Sequence, residues 1–235
     1  MFACDQKVEH LNDDFVGKKV TPDMADPEHF FKIASKAKIG VLATQLGLIA
    51  KYGAHYKNIP YLIKLNSKTN ILKVSEKDPL SNLWYSMDEI IRFKRDSRLP
   101  IVGVGYTVYI GSWYESDMFR QAAEVVLHAH REGLISVLWM YPRGRAVKDE
   151  KDPHLIAGAA GIACVLGSDF VKLHAPVRGN MNSSELLKET VIAAGRCGVI
   201  CVGGPKISAR EFLKEIYDQI HVAGTCGVAV GRNIF

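Results

Sequence analysis

The chain has 235 residues, of which 48% are hydrophobic and 23% charged, and it carries a formal net charge of +5. This is the make-up of a folded globular protein with one large core or two small ones, and it excludes a disordered or low-complexity chain. The basic residues are spread along the chain and never interleave with aromatics in a run, so nothing points to nucleic acid. No apolar stretch reaches membrane-spanning length, and the N-terminus lacks the apolar core of a signal peptide, so no membrane partner is expected.

Eight short apolar runs recur in chain order, at 2–4, 39–44, 61–65, 101–107, 136–141, 170–174, 199–202 and 227–230. They are β-branched or aromatic in their middles and lack polar alternation, as expected for parallel strands buried on both faces. Helical patterns lie between them. Asp26-Pro27 opens one, with Phe30, Ile33, Ala34 and Ala37 as its apolar stripe; others cover 116–131, 152–166, 185–194 and 211–222. The polar stretch 66–85 reads as a long βα loop. Alternating strands and helices predict a single (β/α)8 TIM barrel over 1–235. A doubly wound open sheet is the alternative, but Asp5-Gln6-Lys7 after the first strand is no glycine-rich nucleotide loop. The chain stops at Phe235 directly after the eighth strand, without a final helix, and its first strand starts at residue 1 or 2. The barrel is therefore expected to be trimmed at both ends.

Cys4, Cys164, Cys197, Cys201 and Cys226 form no C-x-x-C pair and sit mostly in apolar context, which reads as reduced thiols in a cytoplasmic protein. His128 and His130 are two apart on a helix and point away from each other. No other His, Cys or Glu spacing resembles a metal site, so no metal or other cofactor is expected.

In a TIM barrel the active site lies at the C-terminal strand ends, and polar residues gather there. The first strand ends in Asp5, with Glu9 and His10 beyond it; the third ends in Lys64 and Asn66. Trp139 and Tyr141 share one face of the fifth strand, which runs into Arg143. Lys172 and His174 share one face of the sixth. Lys172 stands inside Phe170-Val171-Lys172-Leu173-His174. An ammonium in so apolar a strand loses solvation, and the neutral amine that results is a nucleophile toward a carbonyl carbon; the alternative is a strand-end lysine that reaches water or pairs with a carboxylate. Gly203-Gly204-Pro205-Lys206 and Gly231-Arg232-Asn233 end the seventh and eighth strands, the usual phosphate cradle of this fold. Backbone donors at the glycines and the Arg232 guanidinium suit a phosphate.

Six motifs follow one another in order: Asp5-Gln6-Lys7-Val8-Glu9-His10, Ile63-Lys64-Leu65-Asn66, Gly105-Tyr106-Thr107-Val108-Tyr109-Ile110-Gly111-Ser112, Trp139-Met140-Tyr141-Pro142-Arg143-Gly144, Gly203-Gly204-Pro205-Lys206 and Gly227-Val228-Ala229-Val230-Gly231-Arg232-Asn233. Together they resemble the archaeal-type class I fructose-1,6-bisphosphate aldolases, the family that includes the bacterial DhnA-type proteins. The resemblance implies a Schiff-base lysine, which falls on Lys172, and a tyrosine acid/base, which falls on Tyr141. It places Asp5, His10, Asp14, Trp139 and Arg143 around the substrate, with Asp5 assisting the lysine. It also implies a phosphorylated sugar as substrate, a role in glycolysis and gluconeogenesis, and a homo-oligomer. The chain departs from many relatives at Gln6-Lys7, His174 and Val202. Two further readings stand beside fructose-bisphosphate cleavage: another lysine-dependent aldolase, transaldolase-like enzyme or thiolase of the same family, or an inactive truncated barrel that binds sugar phosphates.

Overall fold

The computed structural model describes residues 1–9, 15–17, 20–69 and 77–234. Among them, eight parallel strands hydrogen-bond in sequence order: β1 (Phe2–Ala3), β2 (Leu42–Gln45), β3 (Tyr61–Lys64), β4 (Ile101–Ile110), β5 (Ile135–Pro142), β6 (Phe170–Leu173), β7 (Gly198–Val202) and β8 (Gly227–Ala229). The circle closes through a parallel bridge between Phe2 and Val230, where the Ala3 amide donates to the Val230 carbonyl at 2.7 Å. The fold is the (β/α)8 TIM barrel that the strand spacing predicts. Among the described residues, this bridge pairs the edges of β1 and β8.

A four-residue helical turn, α1 (Gln6–Glu9), follows β1 and precedes α2 (Glu28–Lys36); α3 (Leu46–Tyr52) follows β2 and α4 (Met87–Ser97) follows β3. The remaining helices are α5 (Glu115–Arg131), α6 (Pro153–Val165), α7 (Ser183–Ala194) and α8 (Ala209–His221). No helix follows β8 among the described residues. The sequence patterns anticipated α2 and α5 to α8. Pro27, expected at the first helical position of α2, is instead its N-cap, one residue before Glu28, and Asp152 caps α6 by accepting from the His154 and Leu155 amides. The patterns missed α3 and α4. Ser86 and Glu89 form a reciprocal capping box at the start of α4, a signal that is present in the sequence.

Period-two alternation along the strands divides the core in two. Leu42, Ile63, Val104, Val108, Leu138, Met140, Val171 and Leu173 point outward and pack under the helices. Ala3, Ala43, Leu62, Val137, Trp139, Ile200 and Ala229 point inward and form a small apolar plug. The plug has one large member, the fully buried Trp139. Its six-membered ring lies over Gly105 on β4. A Cβ at position 105 would sit 2.2 Å from Trp139 Cζ3 and 2.9 Å from Leu62 Cδ2. Gly105→Ala is therefore expected to overpack the barrel and lower unfolding stability by about 1–3 kcal/mol, measured by urea denaturation. Stability equal to the parent would mean that the indole does not occupy that gap.

Candidate active site

The C-terminal strand ends open onto a cavity of about 210 Å³. Its wall includes Asp5, Glu9, Lys68, Tyr109, Tyr141, Arg143, Lys172, His174, Gly203, Gly204, Gly231 and Arg232. The barrel thus brings together eight of the residues singled out from sequence: Asp5, Tyr141, Arg143, Lys172, Gly203, Gly204, Gly231 and Arg232. Trp139 does not line the cavity; it lies among the inner apolar residues. His10 and Asp14 lie outside the described residues. Sequence reasoning assigned no role to Lys68 or Tyr109, which reach the cavity only through the β3–α4 connection and the unusually long β4.

Strand register fixes the reactive corner. Trp139 on β5 pairs with Lys172 on β6, and β3 Lys64 pairs with β4 Gly105. Lys172 is 6% exposed, and its Nζ lies 4.8 Å from the centre of the Trp139 ring. An amine over an indole face gains a cation–π contact when it is charged and keeps an apolar neighbour when it is not. Lys64 is the second lysine of the interior. It is fully buried, with Nζ 5.2 Å from the same ring. Lys64 donates to the Asn66 carbonyl and lies 3.6 Å from Glu9 Oε1. Only Lys172 of the two faces the cavity.

Two residues further along from Trp139 and Lys172, Tyr141 and His174 stack with ring centroids 4.7 Å apart. Burial, then the nearby Glu9 and Asp5 carboxylates, push the Tyr141 phenol well above its ordinary range, so it stands as a neutral O–H donor. Burial, with Arg143, Lys151 and Lys172 around it, pushes His174 down to about 4. The imidazole is therefore neutral at pH 7. Asp5 is almost fully buried, and its Oδ2 has no hydrogen-bond partner among the described residues. A buried acceptor without a partner is costly unless a substrate or water hydroxyl supplies the proton.

The glycine loops differ in detail from the expected cradle. The Gly203 amide already donates to the Ala229 carbonyl at 2.8 Å, so it has no proton to offer a phosphate. Gly204 has φ +64°, a left-handed turn that glycine allows, and a Cβ there would meet nothing within 4 Å. Asn233 ties the two loops: its Nδ2 donates to the Gly203 and Pro205 carbonyls at 2.7 and 2.9 Å, and its Oδ1 accepts from the Ile207 amide at 3.0 Å. Arg143 is held by Glu150 through two hydrogen bonds of 2.8 Å, and this raises its already high pKa. Its fork is occupied, so it contributes a pre-set charge more than open donors.

A family model described as DeoC/LacD family aldolase matches residues 1–235. The chain belongs to the DeoC/LacD aldolase family. It is 55% identical over 234 residues to the fructose-bisphosphate aldolase/6-deoxy-5-ketofructose 1-phosphate synthase of Methanocaldococcus jannaschii, covering 100% of this chain and 74% of that protein. It is 34% identical to the class 1 fructose-bisphosphate aldolase of Thermoproteus tenax, over 100% of this chain and 82% of the relative. Among solved structures, a fructose-bisphosphate aldolase from Slackia heliotrinireducens superposes with a TM-score of 0.94 at 51% identity, covering 99% of this chain and 73% of that one. An archaeal fructose-1,6-bisphosphate aldolase whose catalytic lysine carries the carbinolamine intermediate superposes with a TM-score of 0.83 at 33% identity, over 99% and 85% of the two chains. This aldolase shares their barrel, and its reactive corner sits at the strand ends where the fold places chemistry.

The environment of His174 gives a direct check. Its ring resonance, assigned by comparison with a His174→Asn variant, should titrate near 4 by NMR. A midpoint between about 6 and 7, the free-histidine range, would mean that the ring is solvated and the corner open.

Proposed function

We propose that this aldolase reversibly cleaves fructose 1,6-bisphosphate to dihydroxyacetone phosphate and glyceraldehyde 3-phosphate through a Schiff base on Lys172. The observation that carries the reading is the cavity corner itself: one buried amine on an indole beside a neutral phenol. The unprotonated amine of Lys172 attacks the C2 carbonyl, and loss of water from the carbinolamine gives an iminium. Asp5, whose buried Oδ2 awaits a donor, accepts a hydrogen bond from the departing hydroxyl or from the nitrogen. The iminium accepts the electron pair of the C3–C4 bond as that bond breaks, and the C4 hydroxyl proton passes to the Tyr141 oxygen while the phenol proton passes to the Asp5 carboxylate. The same relay run backward, from Asp5 through the Tyr141 hydroxyl, protonates C3 and returns both groups to their starting states. Hydrolysis of the product iminium then frees Lys172.

The glycine loops and Arg232 hold one phosphate, with the Gly204 and Gly231 backbone in place of the committed Gly203 amide. Lys68 and Arg143 supply positive charge across the cavity for the other end of the sugar; His10 and Asp14 keep the substrate-lining role that the resemblance implies. Trp139 acts on the substrate through the amine that it supports. The reaction belongs to glycolysis and gluconeogenesis, in the cytoplasm, where the five free thiols stay reduced. A homo-oligomer agrees with the exposed Val165 and Ile192 on α6 and α7. A second activity, formation of 6-deoxy-5-ketofructose 1-phosphate by the same lysine, is favoured by the name of the 55% identical relative.

Tyr141→Phe removes only the hydroxyl. It should lower kcat for fructose 1,6-bisphosphate cleavage by about 10²- to 10⁴-fold with KM changed far less, measured by coupled assay of triose phosphate release. Parental turnover in the variant would move the proton transfer to Asp5 or His174.

A further inference from the structure

The proposed mechanism leaves one buried titratable pair unused. Lys64 and Glu9 lie 3.6 Å apart, and Lys64 is fully buried on β3. A buried ammonium is tolerated only when it is paired and hydrogen-bonded. Each of its contacts leads toward the active corner. Glu9 is in the cavity wall, and its Oε1 also accepts from Ser67 Oγ at 3.1 Å. Ser67 is held in turn by Gln45, whose Nε2 lies 3.3 Å from Ser67 Oγ and donates to the Asp5 carbonyl at 3.1 Å. Asn66, which accepts from Lys64, is locked to β4 by a double bond pattern: it accepts from the Thr107 amide at 2.7 Å and donates to the Thr107 carbonyl at 2.9 Å. The third neighbour of Lys64 is the Trp139 ring, on which Lys172 lies.

We infer that Lys64 is a positioning residue for the aldol reaction: it fixes the Glu9 carboxylate in the cavity wall and braces the indole that carries Lys172. The inference rests on the aldolase reading above. Burial pushes the Lys64 ammonium down and the Glu9 carboxyl up, and the charge of each partner opposes both shifts. Removing Lys64 alone takes away the largest positive charge acting on Glu9, while the Asp5 carboxylate beside it stays. Glu9 then takes up a proton or moves. Either change alters the field at the phenol, since Glu9 is the leading charge acting on Tyr141 after burial. Removing both members of the pair removes that conflict.

The test is a double-mutant cycle on fructose 1,6-bisphosphate cleavage with Lys64→Met, Glu9→Gln and the double variant. Lys64→Met should lower kcat by about 10- to 100-fold with little change in KM, and the double variant should be no slower than Glu9→Gln alone, within about threefold. Losses that multiply would show that Lys64 acts apart from Glu9 and overturn the inference, as would a fully active Lys64→Met. If Lys64→Met fails to fold in a thermal melt, the double variant decides: folding with the Glu9→Gln rate supports the pairing role, and failure to fold makes Lys64 a structural support only. A parent enzyme that cleaves no phosphosugar would overturn the aldolase reading itself, a result distinct from multiplying losses in an active enzyme.

Discussion

Two lysines inside an apolar barrel are the constraint on which the rest of this structure depends. The plug of Ala3, Ala43, Leu62, Val137, Ile200 and Ala229 offers an ammonium almost nothing. The fold answers with a single large aromatic, Trp139, whose ring is near both amines. That ring fits only because β4 has glycine at position 105, and β4 holds its place because Asn66 extends the β3–β4 pairing through Thr107. Backbone choices on β4 thus decide where Lys172 on β6 can stand.

The two lysines are chemically alike and differently used. Lys64 is held by Asn66 and Glu9 and is closed off from the cavity, whereas Lys172 lines it. Around Lys172 two neighbours are kept neutral: the Tyr141 phenol keeps its proton and the His174 ring lacks its second one, both chiefly through burial. Arg143, Lys68 and Arg232 place positive charge in the cavity wall. Stacking of Tyr141 on His174 fixes the phenol that the resemblance assigns to acid/base work.

Much of this was legible in the sequence because strands buried on both faces leave unbroken apolar runs. All eight runs became strands, and the βα alternation gave the barrel. Lys172 was legible as a cation in such a run. The short α3 was missed because Leu46-Gly47-Leu48-Ile49-Ala50 has no polar face to set a helical period. The α4 helix was missed because the polar stretch before it masked the Ser86–Glu89 capping box. Commitments between distant loops left no local signal: the Gly203 amide spent on Ala229, the Arg143 fork on Glu150, and the Asn233 clamp across two loops. So did the link from Lys64 to Glu9, 55 residues apart in the chain. Departure from the relatives at residue 174 was visible in sequence, but its effect, a neutral ring stacked on the phenol, needed the barrel.

The central claim is that Lys172, and not Lys64, forms the covalent intermediate. Borohydride reduction in the presence of dihydroxyacetone phosphate, followed by peptide mass mapping, tests it directly. The account predicts the ligand mass on the peptide that holds Lys172, its persistence in Lys64→Met and its loss in Lys172→Ala. A label on the Lys64 peptide, or labelling that survives Lys172→Ala, would contradict it.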